Sequence, residues 1–135
     1  SGILSILALL LGASFAAAVD IDPAAPRIAY ENAALNGIGK DTFFVTTGNI
    51  LEDEPLKNTI GDRKYDIVVA NIVADVIIPL SGMVHLFMKK GAKFLCSGII
   101  NERAGDVCRA LASNGFDIMK KEKDGDWCAF LCGRK

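Results

Sequence analysis

The sequence predicts an α/β fold with a mostly parallel sheet that closes on an antiparallel hairpin. Three observations predict it. Short runs rich in Val, Ile, Phe and Ala alternate with segments whose apolar residues recur at helical spacing. Gly, Asn or Asp stands at most of the junctions, where turns and helix ends need those residues. The last two β-rich runs are separated by Lys123-Asp124-Gly125, too short to hold a crossover helix. Strands that alternate with helices pair in parallel and are covered on both faces.

Taken in order, Ile3 to Leu11 reads as a helix apolar on all sides and therefore buried, closed by Gly12. Phe15 to Ile21 reads as a short buried strand. Asp22 suits an N-cap and Pro23 a first helical position, so a helix is expected from there to Asn36, stopped by Gly37. Ala25, Ile28, Ala29, Asn32 and Leu35 share one of its faces, and Pro26 lies near enough to the start to be tolerated. Thr42 to Thr47 is β-branched and aromatic, hence a strand. Gly48 to Lys64 reads as a polar connection with room for a short helix. Tyr65 to Ala70 reads as a buried strand. Asp75 to Met88 reads as one amphipathic helix with Val76, Leu80, Val84 and Phe87 inward, ended by Lys89-Lys90-Gly91. Lys93 to Ser97 is the next strand. Asn101 is expected to cap a helix that turns Ala104, Val107, Cys108 and Leu111 inward and closes at Asn114-Gly115. Phe116 to Lys121 and Trp127 to Cys132 form the hairpin.

The 135 residues suit one compact domain. Hydrophobic residues make up 51% and charged residues 23%, enough for a sizeable core. Fifteen basic residues balance sixteen acidic ones, giving a net charge of −1. That balance argues against electrostatic capture of nucleic acid or anionic membrane and favours a protein or small-molecule substrate, with RNA left open. Ile3 to Val19 is nearly all apolar, yet it lacks a basic leader and is broken by Gly12 and Ser14, so export or a membrane span is not expected. Cys96, Cys108, Cys128 and Cys132 lack ligand spacing and, with a single histidine, predict no metal. Small buried hydrophobes in a reducing cytoplasm fit them better.

In an open α/β sheet, ligands bind at the carboxyl ends of the strands. After the second expected element comes Asp20-Ile21-Asp22-Pro23. A carboxylate there can accept both hydroxyls of a ribose. Asp20 is the better candidate because Asp22 reads as a cap, and Ile21 would lie beside an adenine ring. Both aspartates also fit plain turn roles. Ser1-Gly2 ahead of the first helix would let backbone approach a cofactor. Gly48-Asn49 offers an amide to an adenine edge, or simply a Gly-Asn turn. Asn71, directly after a strand, suits orientation of an acceptor amine for in-line attack, or a turn that starts a helix. His85 reads as a surface residue and Trp127 as packing on the sheet.

The order SGILSI, AVDIDP, ENAALNG, YDIVVANIVADVI, KKGAKFLCSGII and GDWCAFL resembles the ribosomal protein L11 methyltransferase family over essentially the whole chain. ANIVADVI is the most specific piece, since related glutamine and nucleic-acid amino methyltransferases carry Asn-Pro-Pro-aromatic there. The resemblance implies a Rossmann-like class I methyltransferase sheet, S-adenosylmethionine as methyl donor, and lysine side chains and an N-terminal amine of a large-subunit ribosomal protein as acceptors. It implies Gly2 in the cofactor loop, Asp20 on the ribose and Asn71 at the transfer point as the catalytic residue, with Asn49 a weaker correspondence. The alternatives are another amino acceptor, RNA or a glutamine amide, or a catalytically silent segment. The family has an acidic residue and Gly-x-Gly before Ser-Gly and a separate substrate-recognition domain. Residues 1–135 are accordingly expected to be a catalytic domain lacking its first strand. That strand lies, in the family, between those at Phe15 and Tyr65, whose facing edges would stay unpaired here and weaken folding or recruit another copy.

Overall fold

The computed structural model describes residues 1–135, which form two compact units, Ser1–Ile60 and Gly61–Lys135. The first contains α1 (Ile3–Leu10), β1 (Ala16–Asp20), α2 (Ala25–Leu35), β2 (Phe43–Thr47) and most of α3 (Glu54–Gly61). The second contains β3 (Tyr65–Asn71), α4 (Ala74–Ser81), β4 (Met88–Ile100), α5 (Ala104–Ser113), β5 (Phe116–Asp124) and β6 (Trp127–Arg134). Every expected strand is present, each expected helix has a counterpart except that the one over Asp75 to Met88 is broken, and the room left between Gly48 and Lys64 is taken by α3.

In the first unit β1 and β2 pair in parallel, from Ala16 opposite Phe43 to Asp20 opposite Thr47. The crossover helix α2 lays Ala29 and Ala33 on Ile6, Phe43 and Val45, and this small-on-large packing makes the core. The Tyr30 hydroxyl accepts from the Val45 N–H at 2.8 Å and donates to the Val45 carbonyl at 3.2 Å. One side chain of α2 thus satisfies both backbone groups of a β2 residue. Its ring meets Phe43 edge-on at 5.9 Å, and Lys40 lies over it.

In the second unit the strand order is β3-β4-β6-β5. β3 runs parallel to β4, and the hairpin β5–β6 adds antiparallel strands on the other side of β4. The turn is the pair Gly125-Asp126, with Asp124 opposite Trp127. Ile77, Val84, Phe94, Ile99, Val107, Leu111 and Phe116 are fully buried. They join α4 and α5 to the sheet, with the Phe94 and Phe116 rings 5.6 Å apart.

Several expectations need correction. The helix expected over Asp75 to Met88 is two pieces: α4 ends at Ser81, and a single 3-10 turn covers Val84–Phe87. The Ser81 hydroxyl donates back to the Ile78 carbonyl at 2.6 Å and accepts from Asn114 Nδ2 at 2.9 Å, and Gly82 follows. Such back-bonding in the last turn, with Pro79 just before it, favours a helix end. Lys89-Lys90-Gly91 does not end a helix but lies in β4. The ladder to β3 skips from Met88 to Lys93 there. Asn101 does not cap α5. It opens a 3-10 turn and donates its Nδ2 to the Gly125 carbonyl at 2.8 Å, tying that turn to the hairpin. Asp22 accepts from the Ala24 N–H at 2.9 Å, so it holds the turn before α2, and the helix starts at Ala25 rather than Pro23.

Burial also departs from expectation. Only Ile6 of α1 is buried, while Leu4, Leu7, Leu10 and Leu11 are exposed, because one face of an eight-residue helix suffices to cover β1 and α2. β3 is an edge strand. It has a single hydrogen-bonded neighbour, and Ile67 is 62% exposed. β1 likewise pairs only with β2. No helix is long and apolar enough to cross a membrane.

Replacing Tyr30 with Phe should lower the stability of the first unit by roughly 1–3 kcal/mol, because two backbone groups lose their partner while the ring packing stays. Urea melts check this, and an unchanged midpoint would show that water replaces the hydroxyl without cost.

Candidate functional site

Two strand ends carry the polar residues expected from sequence. In the first unit, Asp20 is the last residue of β1 and is exposed. One of its carboxylate oxygens accepts from the Asp22 N–H at 3.0 Å, which fixes the head group against its own turn. Its backbone carbonyl accepts from the Gly48 N–H at 3.0 Å. The ends of β1 and β2 are therefore joined, and Asp20, Ile21, Gly48 and Asn49 share one rim. Ile21 is 73% exposed beside the carboxylate, an apolar surface that the core does not use. Asn49 accepts from the Leu51 N–H through Oδ1 at 3.0 Å, a turn bond that leaves its Nδ2 to donate elsewhere.

Gly2 stands at the head of α1 with φ +74°, and its carbonyl accepts the first helical bond from Ile6. A Cβ there would lie 3.0 Å from Ala29 Cβ and 3.4 Å from the Phe43 ring. Glycine is needed at this position both for its φ and for the close approach of α1 to α2. Asn32 Nδ2 donates to the Ser1 carbonyl at 3.0 Å and anchors the same turn.

In the second unit, Asn71 is the exposed last residue of β3, opposite Ser97 of β4. The next N–H, of Ile72, donates to the Ser97 carbonyl at 3.2 Å. Val73 is extended and passes the chain into α4. Asp75, in the first turn of α4, accepts from Arg103 at 2.7 Å, and the same guanidinium donates to Asp106 at 2.9 Å. Arg103 thus bridges the segment after Asn71 to the start of α5. Hydrogen bonds from Arg103, then from Arg109, hold the Asp106 carboxyl below the usual carboxylate range. The carboxylates of Asp75, and then of Asp106, hold the Arg103 pKa above its usual value.

His85 is exposed, and Trp127 is 54% exposed opposite Ile100 rather than packed into the sheet. All four cysteines are free thiols. Cys96, Cys128 and Cys132 are buried on β4 and β6, as expected of small core residues, and Cys108 is half-buried on α5. The Cys96 thiol donates to the Phe130 carbonyl at 3.9 Å, and the neighbouring Cys132 thiol, then burial, pushes its pKa up.

Sequence reasoning did not single out Gly98. Its φ is +77°, and it sits where β4 slips one residue against β6, between Cys96 and Ile99. The signals were Ser-Gly directly after a buried run and the place of Ser97-Gly98-Ile99-Ile100 in the run that carries part of the family resemblance.

Comparison with known proteins gives the arrangement a context. The family described as "Ribosomal protein L11 methyltransferase (PrmA)" matches residues 1–135. A curated relative of that name from Lachnospira eligens is 43% identical over the whole of this chain, which covers 43% of the relative. The chain thus spans about two fifths of the length of the curated relatives it matches. A crystal structure of ribosomal protein L11 methylase from Lactobacillus delbrueckii subsp. bulgaricus superposes with a TM-score of 0.87 at 34% identity, over 99% of this chain and 65% of that one. Another solved structure, complexed with SAH, shares the fold at 9% identity with a TM-score of 0.79, over 96% of this chain and 41% of that one.

The Arg103–Asp106 contact has a pH signature. The folded carboxyl titrates below its ordinary value of 3.8, so its contribution to stability is full above that value and is lost as pH falls through the folded one. Asp106→Asn should therefore flatten the acid limb of stability against pH, lowering stability modestly at neutral pH and matching the parent once the carboxyl is protonated. Urea midpoints from neutral pH down through the carboxylate range measure this, and parallel acid limbs would show that the pair contributes nothing.

Proposed function

The chain belongs to the ribosomal protein L11 methyltransferase family, and from that premise we propose that it is the catalytic domain of an enzyme that methylates amino groups of a large-subunit ribosomal protein from S-adenosylmethionine. The observation that carries this reading is the family match along all of residues 1–135. The acceptors in this reading are lysine side chains and an N-terminal amine, and the setting is the cytoplasm.

The residues at the first rim fit the donor by their chemistry. Asp20 is a fixed, exposed carboxylate at the end of a parallel strand, with one oxygen held by the Asp22 N–H and lone pairs left for a vicinal diol. The exposed Ile21 side chain suits the face of an adenine, and Asn49 Nδ2 suits a ring nitrogen at its edge. Gly2 supports this arrangement through the close packing of α1 on α2 rather than through a group of its own. S-adenosylmethionine supplies, when bound, a methyl already activated by the sulfonium charge.

The work left to the chain is positional. The Asn71 side-chain carbonyl accepts an N–H of the neutral acceptor amine and turns its lone pair toward the methyl. The amine proton is lost to water. Orientation of this kind needs no general base of shifted pKa. The near-neutral net charge supports a protein acceptor over RNA.

The full-length protein incubated with tritiated methyl donor should label amines of the ribosomal protein and leave RNA unlabelled. Label on RNA alone, or none on any acceptor, would overturn the reading. Asp20→Asn keeps the turn-holding oxygen but removes the charge, so SAH affinity by calorimetry should fall roughly tenfold to hundredfold. Affinity equal to the parent would remove Asp20 from the donor site.

A further inference from the structure

We propose that Gly98 is a positioning residue for methyl transfer: the side-chain-free bulge of β4 sets where the Asn71 amide head and the Ile72 peptide stand. The inference rests on the reading of Asn71 above and goes beyond it by naming what holds that residue.

Three observations converge on the bulge. On β4 the pairs with β6 pass from Cys96 opposite Phe130 to Ile99 opposite Cys128, three steps against two, so one extra residue is inserted at Ser97-Gly98. Both flanking side chains, Cys96 and Ile99, are fully buried, so the bulge cannot slide along the strand without pulling a core residue out. The extra residue turns toward β3. A Cβ at Gly98 would lie 2.6 Å from Asn71 Oδ1, 3.2 Å from the Ile72 nitrogen and 3.3 Å from the Ile72 carbonyl oxygen. The two Ile72 atoms are backbone held in the ladder and cannot swing away, and the Asn71 oxygen is the end of a short side chain that must turn to another rotamer to make room.

The neighbouring bond completes the arrangement. The Ser97 carbonyl accepts from the Ile72 N–H, so the bulge both holds the peptide after Asn71 and, through Gly98, comes close enough to limit where the amide head can go. The φ of +77° is a second reason for glycine. Sequence places Asn71 and Gly98 twenty-seven residues apart; only the parallel pairing of β3 and β4, with Asn71 opposite Ser97, brings them into contact.

The test is a double-mutant cycle in the full-length enzyme with Gly98→Ala, Asn71→Ala and the pair. Single-turnover methyl transfer and SAH affinity are both read. Gly98→Ala alone should slow transfer roughly tenfold to hundredfold, the cost of a small misplacement of a positioned group. SAH affinity should stay within about twofold of the parent. With Asn71 already removed, Gly98→Ala should change the rate by no more than about twofold, since the two residues act as one unit.

Equal slowing by Gly98→Ala in both backgrounds, or a parallel loss of SAH affinity, overturns the proposal while leaving Asn71 in place. Transfer at the parental rate by Asn71→Ala overturns the Asn71 reading itself and this inference with it. Should Gly98→Ala fail to fold, Gly98→Asn tolerates the left-handed backbone while still setting a Cβ against Asn71. Slow transfer with SAH affinity kept supports the proposal, and parental transfer by this variant overturns it.

Discussion

Parallel pairing constrains most of what surrounds the two polar strand ends. A parallel strand must hand its chain to a crossover before the next strand can begin, so its last residue is where the ladder stops and backbone turns outward. β1 and β3 both end this way, on Asp20 opposite Thr47 and on Asn71 opposite Ser97. Each terminal residue is exposed, and a backbone bond to the adjoining strand stands at each end: the Gly48 N–H donates to the Asp20 carbonyl, and the Ile72 N–H, one residue past Asn71, donates to the Ser97 carbonyl of β4. A polar side chain set at such a position is steady because the ladder behind it is rigid, and it is available because nothing follows it in the sheet.

The packing behind the two ends is built differently. In the first unit, small residues of α2 allow close approach to β2, and the Tyr30 hydroxyl bridges what the pairing leaves open at Val45. In the second unit, large side chains fill the interface. Phe94 and Phe116 meet across the sheet, and Val107 and Leu111 seat α5. Arg103 ties the outer ends of α4 and α5 through two carboxylates. That bridge is exposed and screened by solvent, so its use is to fix direction more than to add stability.

The chemistry assigned to this arrangement asks little of the protein in acid–base terms. Methyl transfer from a sulfonium needs an oriented acceptor and a dry approach, and in the proposed reading the strand-end amide of Asn71 would supply the orientation. Under that proposal a bulge glycine matters as much as a polar residue. It contributes no group, only the room that lets two backbones and one amide head approach.

The sequence by itself determined the order of elements, the class of fold and the placement of Asp20 and Asn71 at strand ends, because periodicity and turn residues are local properties. It also pointed to buried cysteines and to the closing hairpin. What it could not decide depended on partners distant in the chain. Pro79 and Gly82 mark the break after Ser81 locally, but the Asn114 amide that donates to the Ser81 hydroxyl there comes from far along the chain; the release of Asn101 from capping reflects Gly125; the exposure of Ile67 reflects an edge with one neighbour. The contact of Gly98 with Asn71 belongs to the same group. A ladder register is settled only when two strands meet, and no local pattern at residue 98 can encode the side chain that will stand opposite it.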